Sequence, residues 1–335
     1  MINWLLFLGA LGIIFSTITI VPTTLKGRLI SLIAVMLGAT IIVSGSLRLV
    51  PGDPIDHILG DQAQASSRDL VARELGLIDD QGVPIGFVEQ YGNFLRQLAK
   101  NDLKSFITRR NTLDTVLERL PYTAALGIAA MLVAIMLGPL LGIMASFFYH
   151  RWPDHLLSVF ALVGISIPSF FLGPLLLLLF SLHWGLLPVS GADNGLYSLV
   201  LPAFSMGMAL AAMLARMSRA SMLEVLSEDF IRTAKAKGLA NRLIFFKHAL
   251  RNALIPVVTL IGLQFGAVLA GTVITEKIFN WPGVGLLLLD SIHQLDMPMV
   301  QTCVLFIALI YALVNMTTDI LYSFIDPRIS IGGAK

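Results

Sequence analysis

Charged residues are scarce in this 335-residue chain, which has 21 acidic and 23 basic residues, or 13% in all. Soluble globular domains carry about 25% charged residues, so the chain lacks the polar groups that a water-exposed protein of this length needs. A soluble enzyme, a disordered segment and a nucleic-acid binder are therefore disfavoured. Cysteine is also scarce. Because Cys303 is the single one, the chain has no internal disulfide and no thiolate metal site.

What the chain has instead is apolar sequence in long runs. Hydrophobic residues make up 56% of it, and the mean hydropathy is +0.82. Seven runs contain no Asp, Glu, Lys, Arg or His, and a bilayer crossing needs about 20 largely apolar residues. The sequence therefore predicts an all-helical, multi-pass membrane protein. The runs are Trp4–Leu25, Leu29–Leu47, Leu120–Tyr149, Leu156–Leu182, Gly195–Ala215, Asn252–Thr275 and Met297–Thr318.

Two features of these runs bear on how the helices are built. The third and fourth runs are longer than a crossing requires and contain Pro139, Pro168 and Pro174, so we expect tilted or kinked helices there. The first run has the length of a signal peptide but lacks a basic segment before it and a small-residue cleavage pattern. An additional N-terminal helix over residues 1–27 is the favoured interpretation, and a cleaved signal is the alternative.

Basic residues concentrate in alternate links between the runs, which sets the orientation. The links after the first, third and fifth runs carry the basic residues and fall on the same side, which the positive-inside rule makes cytoplasmic. This predicts an outside N-terminus and a cytoplasmic C-terminus. The residues concerned are Lys26, Arg28, His150, Arg151, His155, Arg216, Arg219, Arg232, Lys235, Lys237, Arg242, Lys247 and Arg251, with Arg328 and Lys335 at the C-terminal end.

The link over residues 50–119 holds more acids than bases and is predicted to lie outside the membrane on the opposite face. Ser66–Leu77 has the pattern of a short helix that begins at Ser66 or Ser67 and ends at Gly76, and Phe87–Lys100 has apolar residues at helical spacing. This insert either packs on the membrane domain as a structural cap or contacts a partner.

The basic link Ser218–Pro256 has the pattern of two helices separated by a glycine. Ser227 is a suitable N-cap for a helix that ends at Gly238, and Asn241 is a suitable cap for a second helix that leads into the next run. Glu228 and Arg232 are four residues apart, the spacing of a surface ion pair. From pattern alone, a plain basic loop or a site for anionic lipid remains an alternative.

Ordered short motifs along the chain resemble those of one transporter family. The segments Glu228–Leu239 and Lys247–Pro256 resemble the EAA coupling loop of ATP-binding-cassette (ABC) importer permeases. More closely, they resemble the B-type subunit of the dipeptide, oligopeptide and nickel permease family. Further matching segments are Arg48–Pro54, Glu74–Leu77, Gln90–Tyr91, Glu118–Pro121, Ile165–Ser169, Leu187–Gly191, Phe279–Gly285 and Ile325–Arg328. Arg232 stands where the motif commonly has Glu.

The resemblance implies a six-helix type I ABC importer permease core plus the extra N-terminal helix. It divides the chain into the helix over 1–27, a first core helix with the insert over 28–119, and the permease core over 120–330, whose coupling loop spans 218–256. It also implies that a groove on each ATPase subunit receives the loop. The coupling residues carried over are Glu228, Asp229, Arg232, Thr233, Ala234, Lys237, Gly238, Leu239, His248, Arg251, Asn252 and Pro256.

Within this loop, Phe230, Ile231 and Ala234 are expected to form the packed face, with Leu239, Phe245 and Phe246 anchoring the second helix. The resemblance further implies that a segment after the sixth run helps close the outer mouth or meets the binding protein. Its residues are Glu276, Phe279, Trp281, Pro282, Gly283 and Gly285, and Trp281–Gly283 suits the start of a short helix. Interfacial charge is the favoured interpretation of Glu276.

Methionine and serine residues in the fourth and fifth runs are candidates for lining the solute path, although methionine at helical spacing is more often packing. The candidates are Ser166, Ser169, Ser205, Met206 and Met213, with Met208 and Met217 at similar spacing. The chain has no phosphate-loop motif, so we expect no cofactor of its own and ATP bound by partner subunits. The implied partners are a second related permease, two ABC ATPase subunits, an extracytoplasmic solute-binding protein and the lipid bilayer.

Three function classes compete. An ATP-driven peptide importer permease in the bacterial inner membrane is favoured, with nickel chelate, cationic peptide or polyamine as alternative solutes. A secondary transporter or channel usually places an ionisable group near the membrane midplane, and the seven runs lack one. A membrane enzyme is disfavoured because neither a HExxH nor a GxSxG motif is present. No metal site and no nucleic-acid partner are expected.

Overall fold

The computed structural model describes residues 25–49, 52–59, 64–79 and 81–325. The predicted Trp4–Leu25 span, except its last residue, lies outside this part of the chain, as do Arg328 and Lys335. The described residues are helical, with two isolated β-bridges and no strand. The helices are α1 Leu25–Leu47, α2 Pro54–Leu59, α3 Ala65–Glu74, α4 Phe87–Ala99, α5 Thr112–Phe147, α6 Trp152–Ser166, α7 Ser169–Leu176, α8 Leu196–Leu226, α9 Asp229–Ala236, α10 Asn241–Leu243, α11 Leu250–Phe279, α12 Val284–His293 and α13 Met297–Ile325.

Among the described residues, five segments, in α1, α5, α8, α10–α11 and α13, are long and apolar enough to cross a membrane. A sixth candidate is the pair formed by α6 and α7, bent by 105°. The predicted kink in the Leu156–Leu182 run is therefore confirmed, and the break falls at Pro168. Two π-helical segments, Leu177–His183 after α7 and Ile244–Ala249 between α10 and α11, continue the neighbouring helices.

The described residues form two compact units. The first contains the described residues up to Pro121 together with Gly283–Leu313, and its core is built from Val116, Val284, Met299 and Cys303. Buried polar pairs add to this core. Thr302 donates a hydrogen bond to Thr112 over 3.0 Å, and Asp296 accepts one from Ser105.

The insert packs on α1 inside this first unit. Tyr91 and Thr40 share a hydrogen bond of 2.8 Å, and Arg48 donates to the Gln90 side chain and to the Ile85 carbonyl. The pKa of the Tyr91 hydroxyl is raised, because the effect of burial is larger than the opposite effect of the hydrogen bond to Thr40. Three residues from two separate short motifs, Arg48, Gln90 and Tyr91, therefore join α1 to α4 directly.

The helix bounds of the insert follow the sequence prediction closely. The first helix begins at Ala65 rather than at Ser66 or Ser67, with Gln64 at the N-cap and no side-chain cap, so the serine cap is wrong. Gly76, which was predicted to stop this helix, follows it with φ +68, but the helix itself ends at Glu74, before the predicted end at Leu77. The second helix, predicted over Phe87–Lys100, ends one residue earlier, at Ala99.

The second unit spans Tyr122–Pro282 and resumes at Val314. Its core joins α5, α8 and α11 through Met131, Met206, Leu214, Val257 and Val268. Small residues let α5 and α8 approach closely. A Cβ atom on Gly138 would lie 2.7 Å from the Ala211 carbonyl oxygen, and one on Gly142 would collide with the Ala215 carbonyl. Such small-residue contacts are the usual basis of close helix pairs in membranes.

Candidate functional site

The predicted helix–glycine–helix segment is present within the second compact unit, over α9 to α11. The first of its helices, α9, begins at Asp229, and Glu228 holds the extended N-cap conformation without a side-chain cap. Ser227 is not the N-cap, because its hydroxyl donates back to the Glu224 carbonyl over 2.6 Å at the end of α8. The predicted Glu228–Arg232 pair is also wrong. Arg232 pairs instead with Asp229, at 3.2 Å.

One face of α9 is packed on the helix bundle. Ile231 is fully buried and Ala234 is 9% exposed, and both contact a cluster that contains Ile244, Phe245 and Ala249. The packed face is therefore narrower than expected, since the Phe230 side chain is 44% exposed. Of the predicted anchors only Phe245 is buried, with its ring centroid 5.1 Å from that of Phe147. Leu239 and Phe246 remain exposed.

Gly238 reverses the chain after α9. Its φ is +77, the left-handed conformation that was predicted, and nothing lies within 4 Å of where a Cβ would stand. The Gly238 amide donates to the Lys235 carbonyl over 3.0 Å, and the Leu239 amide donates to the Ala234 carbonyl over 3.3 Å. These two bonds make a Schellman motif, which satisfies carbonyls that the end of a helix leaves free.

The opposite face of α9 is exposed and polar. The Asp229 and Arg232 side chains are 93% and 76% exposed, so their ion pair contributes little to stability. Exposed residues on this side also include Thr233, Lys235, Ala236 and Lys237. The short helix therefore has one face fixed to the bundle and the other open to a partner.

The remaining predicted coupling residues lie on the second helix of the unit. Arg251 and Asn252 are exposed, and the Asn252 amide donates to the His248 carbonyl over 3.1 Å. His248 is half-buried in the π-helical segment, and Pro256 is inside α11. As predicted, the second helix runs without a break into the sixth apolar run. Its predicted cap is wrong, because Ala240 and not Asn241 is the N-cap.

An ion pair that the sequence pattern did not predict joins α6 to α8. Arg219 Nε and Nη2 donate to the two carboxylate oxygens of Asp154 over 2.7 and 2.9 Å. The Asp154 side chain is 2% exposed and also accepts the His150 amide. The available signal was a single acid in a link that is otherwise basic.

Most of the residues predicted for the outer mouth that belong to the second unit are buried rather than exposed at the surface. Trp281 is 4% exposed and donates its indole N–H to the Tyr122 carbonyl over 2.8 Å. Phe279 is 2% exposed, and its carbonyl accepts the Gly191 amide. Glu276 is fully buried and accepts a hydrogen bond from Thr123 over 2.8 Å, so interfacial charge is the wrong interpretation for it. Pro282 is half-buried.

In the first unit, α12 begins at Val284 with Gly283 as its N-cap. The expected short helix after Trp281–Gly283 is therefore present. Gly283 and Gly285 are both buried. Of the six residues predicted to form the outer mouth, all except Pro282 are therefore buried. In this conformation these five have little or no side-chain surface for direct contact with a binding protein.

The predicted pore-lining residues are separated by the fold. Ser205 and Met206 are 1% and 6% exposed inside the second unit, so a solute cannot reach them in this conformation. Met213 and Met217 line a groove of ≈ 810 Å³ among α5, α6, α8 and α11. Ser166 is exposed and Ser169 half-buried at the break between α6 and α7.

The comparisons with known proteins agree with this architecture. Residues 138–331 match the family described as "Binding-protein-dependent transport system inner membrane component". The chain is 41% identical over 303 residues to the glutathione transport system permease protein GsiC of Escherichia coli (strain K12) and to that of Salmonella typhimurium (strain LT2). Each alignment covers 90% of this chain and 97% of the relative.

Solved structures share the fold at low sequence identity. One chain of the MetNI methionine ABC transporter in an inward-facing conformation aligns with a TM-score of 0.53 and 16% identity. The alignment covers 63% of this chain and 96% of that one. A chain from an amino acid ABC transporter crystallised with histidines aligns at 0.50 and 16% identity, covering 70% and 98%. The helical architecture is thus that of type I ABC importer permeases, as predicted. From the matched residues and these relatives, the chain belongs to the family of binding-protein-dependent transport system inner membrane components, as an ABC importer permease.

Proposed function

We propose that this permease translocates peptides of the dipeptide and oligopeptide class across the bacterial inner membrane. The ordered motifs of the B-type peptide permeases support this solute class. The glutathione permeases, at 41% identity over 90% of the chain, also support it, because glutathione is itself a small peptide.

The observation that carries the proposal is the way in which α9 is mounted. Ile231 and Ala234 fix it to the bundle, and the Schellman turn at Gly238 fixes its exit. Because α9 is packed along one face and its C-terminal turn is hydrogen-bonded, a force applied to it by a partner displaces α8 and α11 rather than α9 alone. Its polar outer face is then free to enter a groove on an ATPase subunit, which supplies the energy that this chain cannot generate.

The proposed complex contains this chain, a second related permease, two ABC ATPase subunits and an extracytoplasmic solute-binding protein. ATP is bound by the ATPase subunits, and the chain itself carries no cofactor. The basic links support an outside N-terminus and a cytoplasmic C-terminus, with the coupling unit in the cytoplasm. Nickel chelate, cationic peptide and polyamine remain alternative solutes for the same architecture.

One observation favours an ion-coupled carrier as the second candidate function. The apolar runs lack ionisable residues, but α11 extends beyond its run and contains the fully buried Glu276. An ionisable group buried in a membrane-spanning helix is a functional candidate by default. Against that role, the Glu276 carboxylate accepts a hydrogen bond from the Thr123 hydroxyl.

Purification and uptake test the proposal together. An affinity tag on this chain in its native membrane should co-purify an ATPase subunit, and vesicles with the complex and its binding protein should take up dipeptides only with ATP. Repeated recovery of the chain without an ATPase, or uptake driven by an ion gradient alone, would contradict it. Competition among dipeptides, glutathione, polyamines and nickel chelate then identifies the solute.

A further inference from the structure

The break between α6 and α7 leaves backbone carbonyl groups without helical partners. Ile167 has φ −85 and ψ 116, and Pro168 has φ −62 and ψ 140, so two extended residues separate the helices. Proline causes this geometry, because it has no N–H to continue the helix and it disfavours the helical conformation of the residue before it.

No backbone hydrogen bond within the described residues spans positions 167 and 168. The carbonyls of Gly164, Ile165, Ser166 and Ile167 therefore lack the N–H groups that a continuous helix would supply. Local bonds do not replace them. The Ile167 amide donates to the Val163 carbonyl over 3.0 Å, and the Ser166 hydroxyl donates to the Leu162 carbonyl over 2.9 Å.

The predicted cytoplasmic end of α6, at Trp152, places this break at membrane depth. A helix rises about 1.5 Å per residue, so Ser166 is about 20 Å along α6 from Trp152, in a hydrocarbon layer about 30 Å thick. An unpaired backbone group facing lipid costs several kcal/mol, and irregular backbone at this depth occurs only inside protein or beside water. Within the chain, Ile165 is 40% exposed and Ser166 is also exposed, so the rest of the chain does not enclose the break.

A groove runs along α6 up to the break. Leu157, Ala161 and Ile165 line one wall of the ≈ 810 Å³ space, and Met213, Arg216 and Met217 of α8 line another. Arg216, an exposed residue, borders a link predicted to be cytoplasmic. The groove therefore connects the cytoplasmic side of α8 with the residues next to the unpaired carbonyls.

We propose that the break at Ile165–Pro168 lines the aqueous solute path and that its carbonyls accept hydrogen bonds from the ammonium and amide N–H groups of a peptide. This inference rests on the proposed peptide-permease function. Peptides share N–H donors whatever their side chains, so backbone acceptors suit a permease that does not select among side chains. The flexible Met213 and Met217 adapt to side chains of different shape.

The test measures water access to the break in the assembled transporter. Ser166→Cys and Val163→Cys are made separately in the full complex. Val163 is a matched control, because it is on the same helix and 46% exposed but lies three residues before Ser166, inside the regular part of α6. The native Cys303 is fully buried, and the unsubstituted chain measures its background reaction. Inside-out vesicles are treated with a membrane-impermeant cationic thiosulfonate, with or without trialanine or N-acetyl-trialanine.

The Ser166→Cys thiol should react about tenfold faster than the Val163→Cys thiol, because a thiol reacts through its thiolate, which requires water. Trialanine should slow that reaction several-fold and N-acetyl-trialanine less, because the latter has lost the ammonium donor. Equal, slow rates for the two thiols would overturn the inference by showing that lipid or the second permease covers the break. A fast reaction that trialanine leaves unchanged would overturn the peptide contact.

ATP-dependent uptake by the same complexes separates this inference from the proposed function. ATP-driven uptake together with a slow Ser166→Cys reaction would refute only the solute path through the break. Peptide uptake that continues without nucleotide would refute the proposed function, whatever the labelling shows.

Discussion

Asp154 and Arg219 form a two-point ion pair between α6 and α8, with donor–acceptor distances of 2.7 and 2.9 Å. The carboxylate is 2% exposed, while the guanidinium keeps about a third of its surface. The Arg219 Cζ also lies 5.7 Å from the centre of the Tyr149 ring, in cation–π range. The pair therefore fixes α6, which ends at the break, to α8, which leads into the coupling unit.

Arg219→Ala should lower the stability of the solubilised protein, because it leaves the Asp154 carboxylate buried without its counter-charge. Breaking a fully buried pair costs about 3–5 kcal/mol, and the partial exposure of Arg219 places the expected loss near or below the lower limit. Arg219→Lys keeps the charge but loses the two-point geometry, so its loss should be smaller. Thermal unfolding in detergent measures both. Equal stability of Arg219→Ala and the unsubstituted protein would contradict the assignment.

The close contact of α5 with α8 predicts a strong difference between two glycines on one helix. Gly142→Ala would drive a methyl group into the Ala215 carbonyl, whereas Gly127→Ala would place one at an ordinary 3.4 Å from the Val268 side chain. Overpacking costs about 1–3 kcal/mol. Gly142→Ala should therefore reduce folded yield and thermal stability, and Gly127→Ala should not. Similar behaviour of the two variants in the same detergent would show that the helices separate easily.

Sequence patterning predicted the elements whose signal is local. Apolar runs located the described spans because a membrane crossing is a matter of composition, and Gly238 was correctly expected to be left-handed. The end of α8 was not predicted. Arg216 and Arg219 ended the apolar run at Ala215, but the helix continues to Leu226.

Sequence patterning could not predict contacts between residues that are far apart in the chain. Asp154 and Arg219 are 65 positions apart, and no spacing rule connects them. The burial of Ser205, Met206 and Glu276 depends on which helix faces pack together, so their exposure could not be predicted from their own segments. Ser227 shows a related ambiguity, because a serine between two helices can bond the end of the first or cap the second.

Glu276→Gln separates the two candidate transport mechanisms. Glutamine keeps an oxygen that can accept the Thr123 hydrogen bond but cannot carry a transported proton or bind a cation as a carboxylate does. ATP-driven uptake should therefore persist at a similar rate in this variant. Its complete loss, with the complex still assembled and ATP still hydrolysed, would instead support an ion-coupled role for Glu276.

The coupling unit is tested through its turn. Valine at position 238 must adopt a left-handed conformation, which costs about 1–2 kcal/mol for a residue with a side chain, so Gly238→Val should displace α9. Gly185→Val is the matched control, because Gly185 has φ +62, would have nothing within 4 Å of an added Cβ and lies outside the coupling unit. Both variants should insert in the membrane in normal amounts.

The most direct measurement is the number of ATP molecules hydrolysed per peptide imported, in proteoliposomes that contain the complete complex and its binding protein. We predict that Gly238→Val raises this ratio sharply, through lost uptake, while Gly185→Val leaves it at the value of the unsubstituted complex. An unchanged ratio in Gly238→Val, with full uptake, would contradict the claim that α9 transmits the motion of the ATPase to the permease.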